Sequence, residues 1–370
     1  MKKIIIQSLT LIIIASNANA KSLLSPEISS NLLILNHSDY ISKDHQKIKK
    51  FNSYFFAKSD TKFKFNNNMQ LNTNIEFFPD AQFYSNIEQQ YQPYHNIANN
   101  NREFNFFNNS LIVEELNFQY SNEDLEFKIG KYNPNFGNLW YKNNRIGIYS
   151  SQFSEEYNVR EKIGAQISAL LENSKITLSS FINDTTLLSK SAINKRGRAD
   201  DDKSIPGNAN FLSSYMIDIE GQNFLNINNL FYNIAYRSSS ADANGNKTEK
   251  GYLISSQYIY NLTENTTIKP LFEIALIDNL HGYNKSDALY KTFAIQAKYS
   301  SWTTSITLNQ KDIEINNDNN KLKTNTDIIQ FSLGYQINKN FAIDFTRARI
   351  DENKYKYNIL GANIIFDKKF

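Results

Sequence analysis

The sequence predicts an all-β fold, a closed antiparallel transmembrane β-barrel of about sixteen strands, with fourteen or eighteen as the neighbouring counts. Three observations predict it: period-two alternation through most of the chain, breaks that switch between short and long, and 14% aromatic residues against a mean hydropathy of −0.52. A helix-spanning protein needs apolar runs of about 20 residues, and none follows residue 20. A barrel strand instead sets lipid-facing apolar residues against lumen-facing polar ones, so its average is polar. The 22 Tyr and 26 Phe suit the aromatic girdles such barrels carry where membrane meets water.

At the N-terminus, Lys2 and Lys3 precede an apolar run from Ile4 to Ile14 and a small-residue site at Ala18-Asn19-Ala20. That is the pattern of a secretory signal peptide over residues 1–20, cleaved near Ala20. Gln7, Ser8 and Thr10 interrupt the run, so a membrane anchor is the poorer reading. Residues 21–370 then form a single barrel domain, with 21–31 as a short periplasmic lead-in. The chain has no cysteine, so an exported fold must hold by hydrogen bonds and packing without disulfides. A closed barrel does so, because every strand pairs on both sides.

Individual strands are clean. Ile329, Phe331, Leu333, Tyr335 and Ile337 alternate with Gln330, Ser332, Gly334 and Gln336. Leu71, Thr73, Ile75 and Phe77 alternate with Asn72, Asn74 and Glu76, and similar patterns run through 292–299 and 302–309. A soluble β-sandwich alternates too. The rhythm of the connections separates the two, since outer-membrane barrels alternate short periplasmic turns with longer external loops. Short turns fall near 66–68, 122–124, 172–174, 222–225, 262–265, 300–301 and 337–340. Longer polar segments fall at 79–107, 133–159, 185–211, 239–248, 279–288, 316–325 and 351–354. Counting back from a last strand that ends in the periplasm requires one ascending strand before 51–65, and residues 32–38 supply it. Sixteen strands leave room for an aqueous lumen.

The last strand ends on Phe370, with Phe366, Ile364, Ala362 and Leu360 at alternate positions. This resembles the C-terminal signal that hands outer-membrane proteins to the barrel-assembly machinery, although Lys368 stands where an apolar residue is usual. Three further stretches are similar to a family of porin-like outer-membrane proteins of alphaproteobacteria. They are Gly130-Lys131-Tyr132-Asn133-Pro134-Asn135-Phe136-Gly137; Gly147-Ile148-Tyr149 through Glu155-Glu156-Tyr157 to Glu161-Lys162-Ile163-Gly164; and Asn183-Asp184-Thr185-Thr186-Leu187-Leu188-Ser189 with Lys195-Arg196-Gly197-Arg198. The resemblance implies a barrel of the outer-membrane porin type, embedded in outer-membrane lipid and lipopolysaccharide. It implies passive diffusion of small hydrophilic solutes and ions, with a homotrimer by analogy. It names no solute.

The long segment 133–159 follows the fifth strand, where general porins place the loop that folds inward and narrows the pore. Fixed charges in such a passage set size and charge selectivity. The candidates are Lys142, Arg145, Glu155 and Glu156 on the loop, Lys128 on the preceding strand, and Arg160 and Lys162 at the start of the next. The plainer reading is a set of solvated charges on an external loop. Pro134 and Gly137 allow a sharp redirection of the chain, and a turn at a strand end would use the same residues. The next loop joins Lys195, Arg196 and Arg198 to Asp200, Asp201 and Asp202, either a charged mouth that concentrates ions or a self-neutralising surface loop.

Net charge of only +3 leaves no bulk argument for nucleic-acid binding. The four histidines, His37, His45, His95 and His281, fall in expected loops or strand ends without metal-ligand spacing, so neither a metal nor a cofactor is implied. No catalytic motif is present, and the chain reads as a non-enzyme. The rival to a channel is a barrel whose loops 79–107 and 185–211 act in adhesion or receptor binding, with Gln89-Gln90-Tyr91-Gln92-Pro93-Tyr94-His95 aromatic enough to serve.

Overall fold

Alternation dictates the architecture of the computed structural model, which describes residues 25–43, 49–79, 109–139, 152–193, 206–208, 211–241, 247–317, 320–353 and 355–370. The chain opens with β1 (Glu27–Lys43), β2 (Lys49–Lys64), β3 (Met69–Pro79), β4 (Asn109–Ser121) and β5 (Leu125–Tyr132). After a short helix, α1 (Gln152–Tyr157), come β6 (Lys162–Leu170), β7 (Ser174–Asn183), β8 (Ser214–Gly221) and β9 (Leu230–Ser239). The rest comprises β10 (Glu249–Tyr258), β11 (Tyr260–Thr263), β12 (Thr266–Asp278), β13 (Asp287–Tyr299), β14 (Trp302–Asn317), β15 (Asn320–Gln336), β16 (Phe341–Glu352) and β17 (Tyr355–Lys369). β10 and β11 both pair with β12 and are one barrel strand interrupted at Ile259, so the ring has sixteen staves.

Each stave pairs antiparallel with its sequence neighbour, and β17 closes on β1 from Asn31↔Lys369 to Lys43↔Tyr357. The ring of staves is thereby closed, as a hydrocarbon environment demands. The pattern of exposure is inverted relative to a soluble protein. Phe293, Ile295, Ile306, Leu308, Ile329 and Phe331 are exposed, while Thr292, Gln296, Thr307, Asn309, Gln330 and Ser332 on the opposite face are buried. Exposed Tyr299, Trp302 and Tyr335 form a row at the short-turn end of that belt, and the Trp302 and Tyr335 rings lie 4.6 Å apart.

Several sequence expectations are corrected. The first strand runs from Glu27, so the expected lead-in at 21–31 is in good part already barrel, and the strand is far longer than 32–38. β14 and β15 continue through most of 316–325, expected as a loop. Beyond the apolar belt both faces meet water, so alternation fades while the hydrogen-bonded ladder persists. His37 is not at a strand end but in the middle of β1, where its ring contacts Asn363 Oδ1 (2.5 Å) and Asp39 (2.6 Å). The signal peptide, segment 80–108, His45 and His95 lie outside the described residues.

Candidate functional site

Where β5 ends at Tyr132 the chain leaves the wall. Asn133 is the hinge: its Oδ1 accepts from the Glu161 backbone N–H (2.6 Å), its Nδ2 donates to Glu114 (3.0 Å), and its own N–H donates to Glu115 (3.2 Å). Both ends of the 133–159 segment are thereby tied to β4. Arg160 adds a second tie, from Nε to Glu114 (2.7 Å) and from Nη2 to Glu76 on β3 (2.9 Å).

Beyond the hinge the described parts of the loop meet the far wall. Glu273, an inward-facing carboxylate on β12, accepts from the backbone N–H groups of Asn138 (2.7 Å) and Leu139 (3.3 Å) and from the Tyr157 hydroxyl. Asn138 Nδ2 donates to Ser255 of β10 (3.0 Å). Gly137 makes this approach possible: its φ is +101°, and a Cβ there would stand 2.9 Å from the Glu273 carboxylate. Phe136 packs under the Arg237 guanidinium, 5.4 Å from its carbon to the ring centre, and Arg237 is itself held by Glu249 at 2.6 Å.

The short helix α1 completes the docking. Glu156 accepts from Lys311 Nζ on β14 (2.8 Å) and from the Tyr290 hydroxyl on β13 (3.1 Å). The Lys311 ammonium also sits 5.2 Å from the centre of the Phe153 ring, and Tyr157 and Tyr290 rings lie 5.0 Å apart. Phe136, Phe153, Tyr157 and Val159 join inward apolar residues such as Leu253, Ala275 and Ile313 in one buried cluster. Glu156 grips β13 and β14, Arg160 grips β3 and β4, and these strands stand on opposite sides of the sixteen-stave ring. The described residues 133–139 and 152–159 therefore reach across the lumen.

The expected charges are not gathered into one ring. Glu156 and Arg160 are spent on anchoring, and Lys162 donates to Asn183 (2.5 Å). Lys128 lies 6.0 Å from the centre of the Tyr132 ring. Glu155 is exposed on α1, and the protein packed around it pushes its carboxyl above the usual range, with Arg160 pulling the other way. Lys142, Arg145 and the whole charged-mouth set Lys195, Arg196, Arg198, Asp200, Asp201 and Asp202 lie outside the described residues. Phe370 is exposed, its N–H bonded to the Ser30 carbonyl at the seam (2.8 Å).

Two groups escaped the sequence reading. Glu273 is one, although a lone carboxylate among inward-facing Leu271, Ala275 and Ile277 was a visible signal. Lys131 is the other: it continues the outward register of Leu125, Phe127 and Ile129, yet is 1% exposed. It binds Glu161 (2.9 Å), Asp184 (2.8 Å) and Ser189 (3.2 Å). The reason is topological. β5 departs into the lumen, so the upper part of β4 has no partner on that side, and the segment after β7 fills the gap. Ala192 N–H donates to the Leu111 carbonyl (2.9 Å), and Leu111 N–H donates to Ser191 Oγ (3.0 Å).

No protein-family model and no curated protein sequence matches the chain. Solved structures do. An OmpF from Salmonella typhi in complex with daunomycin aligns over 93% of this chain and 98% of its own, at 12% identity and a TM-score of 0.59. An anion-selective porin from Comamonas acidovorans aligns over 92% and 99%, at 9% identity and a TM-score of 0.56. OmpT of Vibrio cholerae, solved in a trimer form, aligns over 92% and 99%, at 8% identity and a TM-score of 0.51. At these identities the likeness is one of fold, a sixteen-stave barrel matched almost from end to end.

Proposed function

We propose that this chain is an outer-membrane channel through which small hydrophilic solutes and ions diffuse passively, narrowed by the segment 133–159. The observation that carries this reading is the tethering of that segment to both walls of a barrel whose exterior is an apolar belt and whose interior is polar. A fixed bar across an aqueous lumen divides it into narrower passages, where fixed charges act on a partly desolvated solute. Glu155 is the loop carboxylate that faces open space and so acts on passing ions, whereas Glu156 and Arg160 hold the bar in place. Charges at 195–202 would act earlier, at the mouth.

The porin-type neighbours support outer-membrane residence; the pattern from Lys2 to Ala20 supports export with cleavage near Ala20, and the alternating strand that ends at Phe370 supports hand-over to the assembly machinery. The trimer form of one neighbour supports self-association in threes. Three sequence stretches similar to alphaproteobacterial porin-like proteins support that origin. The test is liposome swelling with neutral sugars of graded size. The wild type should admit small sugars and exclude larger ones, and Glu273→Ala should raise the cutoff. Liposomes that admit no sugar with either protein would refute the channel reading.

A further inference from the structure

An amine and a carboxylic acid condense to an amide only when both are neutral and held together, conditions that water denies them. At the wall repair Lys131 and Asp184 meet away from water: their side chains are 1% and 0% exposed, and Nζ lies 2.8 Å from Asp184 Oδ2. Burial penalises the charges on both groups, so passing the proton from the ammonium to the carboxylate costs far less here than at a surface. Contact replaces an encounter in solution and removes much of the entropic part of the barrier. Among the described residues Oδ2 meets no donor other than that ammonium, which leaves it able to depart as water.

A third group completes the set. Glu161 Oε2 is 2.9 Å from the same Nζ, with its side chain 3% exposed, and Ser189 Oγ stands 3.2 Å from both atoms. Glu161 carries a φ of +52°, a strained backbone for a residue with a side chain. The strain is held from both sides, by its N–H on Asn133 Oδ1 (2.6 Å) and by its carbonyl, which accepts from the Asp184 N–H (3.2 Å). Strain of this kind collects where a group is placed for chemistry, and a simple ion pair does not need it. Across the pair, Asp184 Oδ1 accepts from the Thr186 N–H (2.8 Å), a donor set where negative charge grows when the carboxyl carbon is attacked.

From this geometry we infer that Lys131 and Asp184 join through an isopeptide bond, with Glu161 as the proton carrier. The ammonium first gives a proton to Oδ2, leaving a neutral amine and a neutral acid. Nζ then attacks Cγ while Glu161 takes a second proton from it, and Oδ1 holds the charge of the tetrahedral intermediate against the Thr186 N–H. Glu161 returns that proton to Oδ2, the Cγ–Oδ2 bond breaks, water leaves, and Nζ keeps one hydrogen as an amide. Glu161 ends as it began, and no oxidant or cofactor is consumed. The ion pair of the structure is the state before condensation. The bond fastens the end of β5 to the segment after β7, a covalent staple in a chain with no cysteine.

Peptide mass mapping of the folded mature protein, extracted in detergent, is the test. The wild type should give a branched peptide joining Lys131 to Asp184, lighter than its two parts by one water, and Lys131 should resist trypsin. Glu161→Gln and Lys131→Arg, confirmed as folded by heat-modifiable mobility, should give the two peptides separately at full mass. An ion pair that never reacts gives separate peptides in all three proteins. A folded wild type with separate peptides overturns the bond, and that result needs no variant, so it stands even if the variants do not fold. A folded Glu161→Gln chain that links as fully as the wild type overturns the role of Glu161.

Discussion

At the scale of single residues the account turns on which charges hold the loop and which are free to act on ions. Glu273 serves two backbone donors and a hydroxyl, so Glu273→Ala strands all three in a buried site, at roughly 1–3 kcal/mol for each orphaned donor. The expected outcome is a folded barrel whose loop undocks, seen as faster cleavage of the 133–159 segment by added protease. Gly137→Ala should do likewise, because its Cβ would meet the Glu273 carboxylate and its φ of +101° is strained for alanine. Glu155 gives a pH test. Its carboxyl is raised by enclosure, so it takes up a proton at a higher pH than a free glutamate, and the passage loses a negative charge there. Cation preference should fall as pH drops towards and below that raised value, and Glu155→Gln should start from the lower preference and lack this step. Identity alone could nominate Glu155, Glu156, Arg160 and Lys162 as candidates. It could not sort anchors from free charges, because the partners Glu76, Glu114, Lys311 and Asn183 come from strands far away in sequence.

At the scale of elements, the inward path of the loop opens the wall, and the segment after β7 repairs it. The repair is held by one buried cation between two buried carboxylates, Lys131 with Glu161 and Asp184. Lys131→Met leaves both acids without a counter-charge, a loss of roughly 3–5 kcal/mol. The measurable consequence is a lower unfolding temperature together with cleavage near 184–193, where Leu187 is 81% exposed. Burial by itself would raise Asp184, but its bonds to Lys131 and Thr186 outweigh burial and set its pKa below the usual value. A depressed folded-state pKa means that this stabilisation is present above the unfolded value of 3.8 and is lost as pH falls below it. Asp184→Asn should remove that acid-limb dependence from the melting profile of the unlinked chain. The strands themselves were readable because lipid on one face and water on the other write alternation directly into the chain. The upper parts of β14 and β15 were not, since no such contrast exists above the membrane. Lys131 was overlooked because alternation places it outward and says nothing of the segment that covers it.

For the whole molecule, closure and spanning decide what the barrel can do. β17 meets β1 in register along thirteen residue pairs, so the ring of staves closes, and a solute using the proposed channel goes through the lumen past the bar. Sixteen staves and their order were legible from the short-long rhythm of the connections, and the docking of 133–159 was expected only from its place after the fifth strand. The outward arginines of β16, Arg347 and Arg349, would cost about 2–4 kcal/mol each if lipid covered them at the bilayer midplane. The account's central claim, an aqueous channel barred by the 133–159 loop, is tested most directly by single-channel recording in a planar bilayer with a salt gradient, comparing wild type, Glu155→Ala and Glu273→Ala. It predicts stepwise conductance in the wild type, a shift of reversal potential towards anions in Glu155→Ala, and a larger, noisier step in Glu273→Ala. A folded wild type that never conducts, or three proteins with the same step and the same reversal potential, would contradict it.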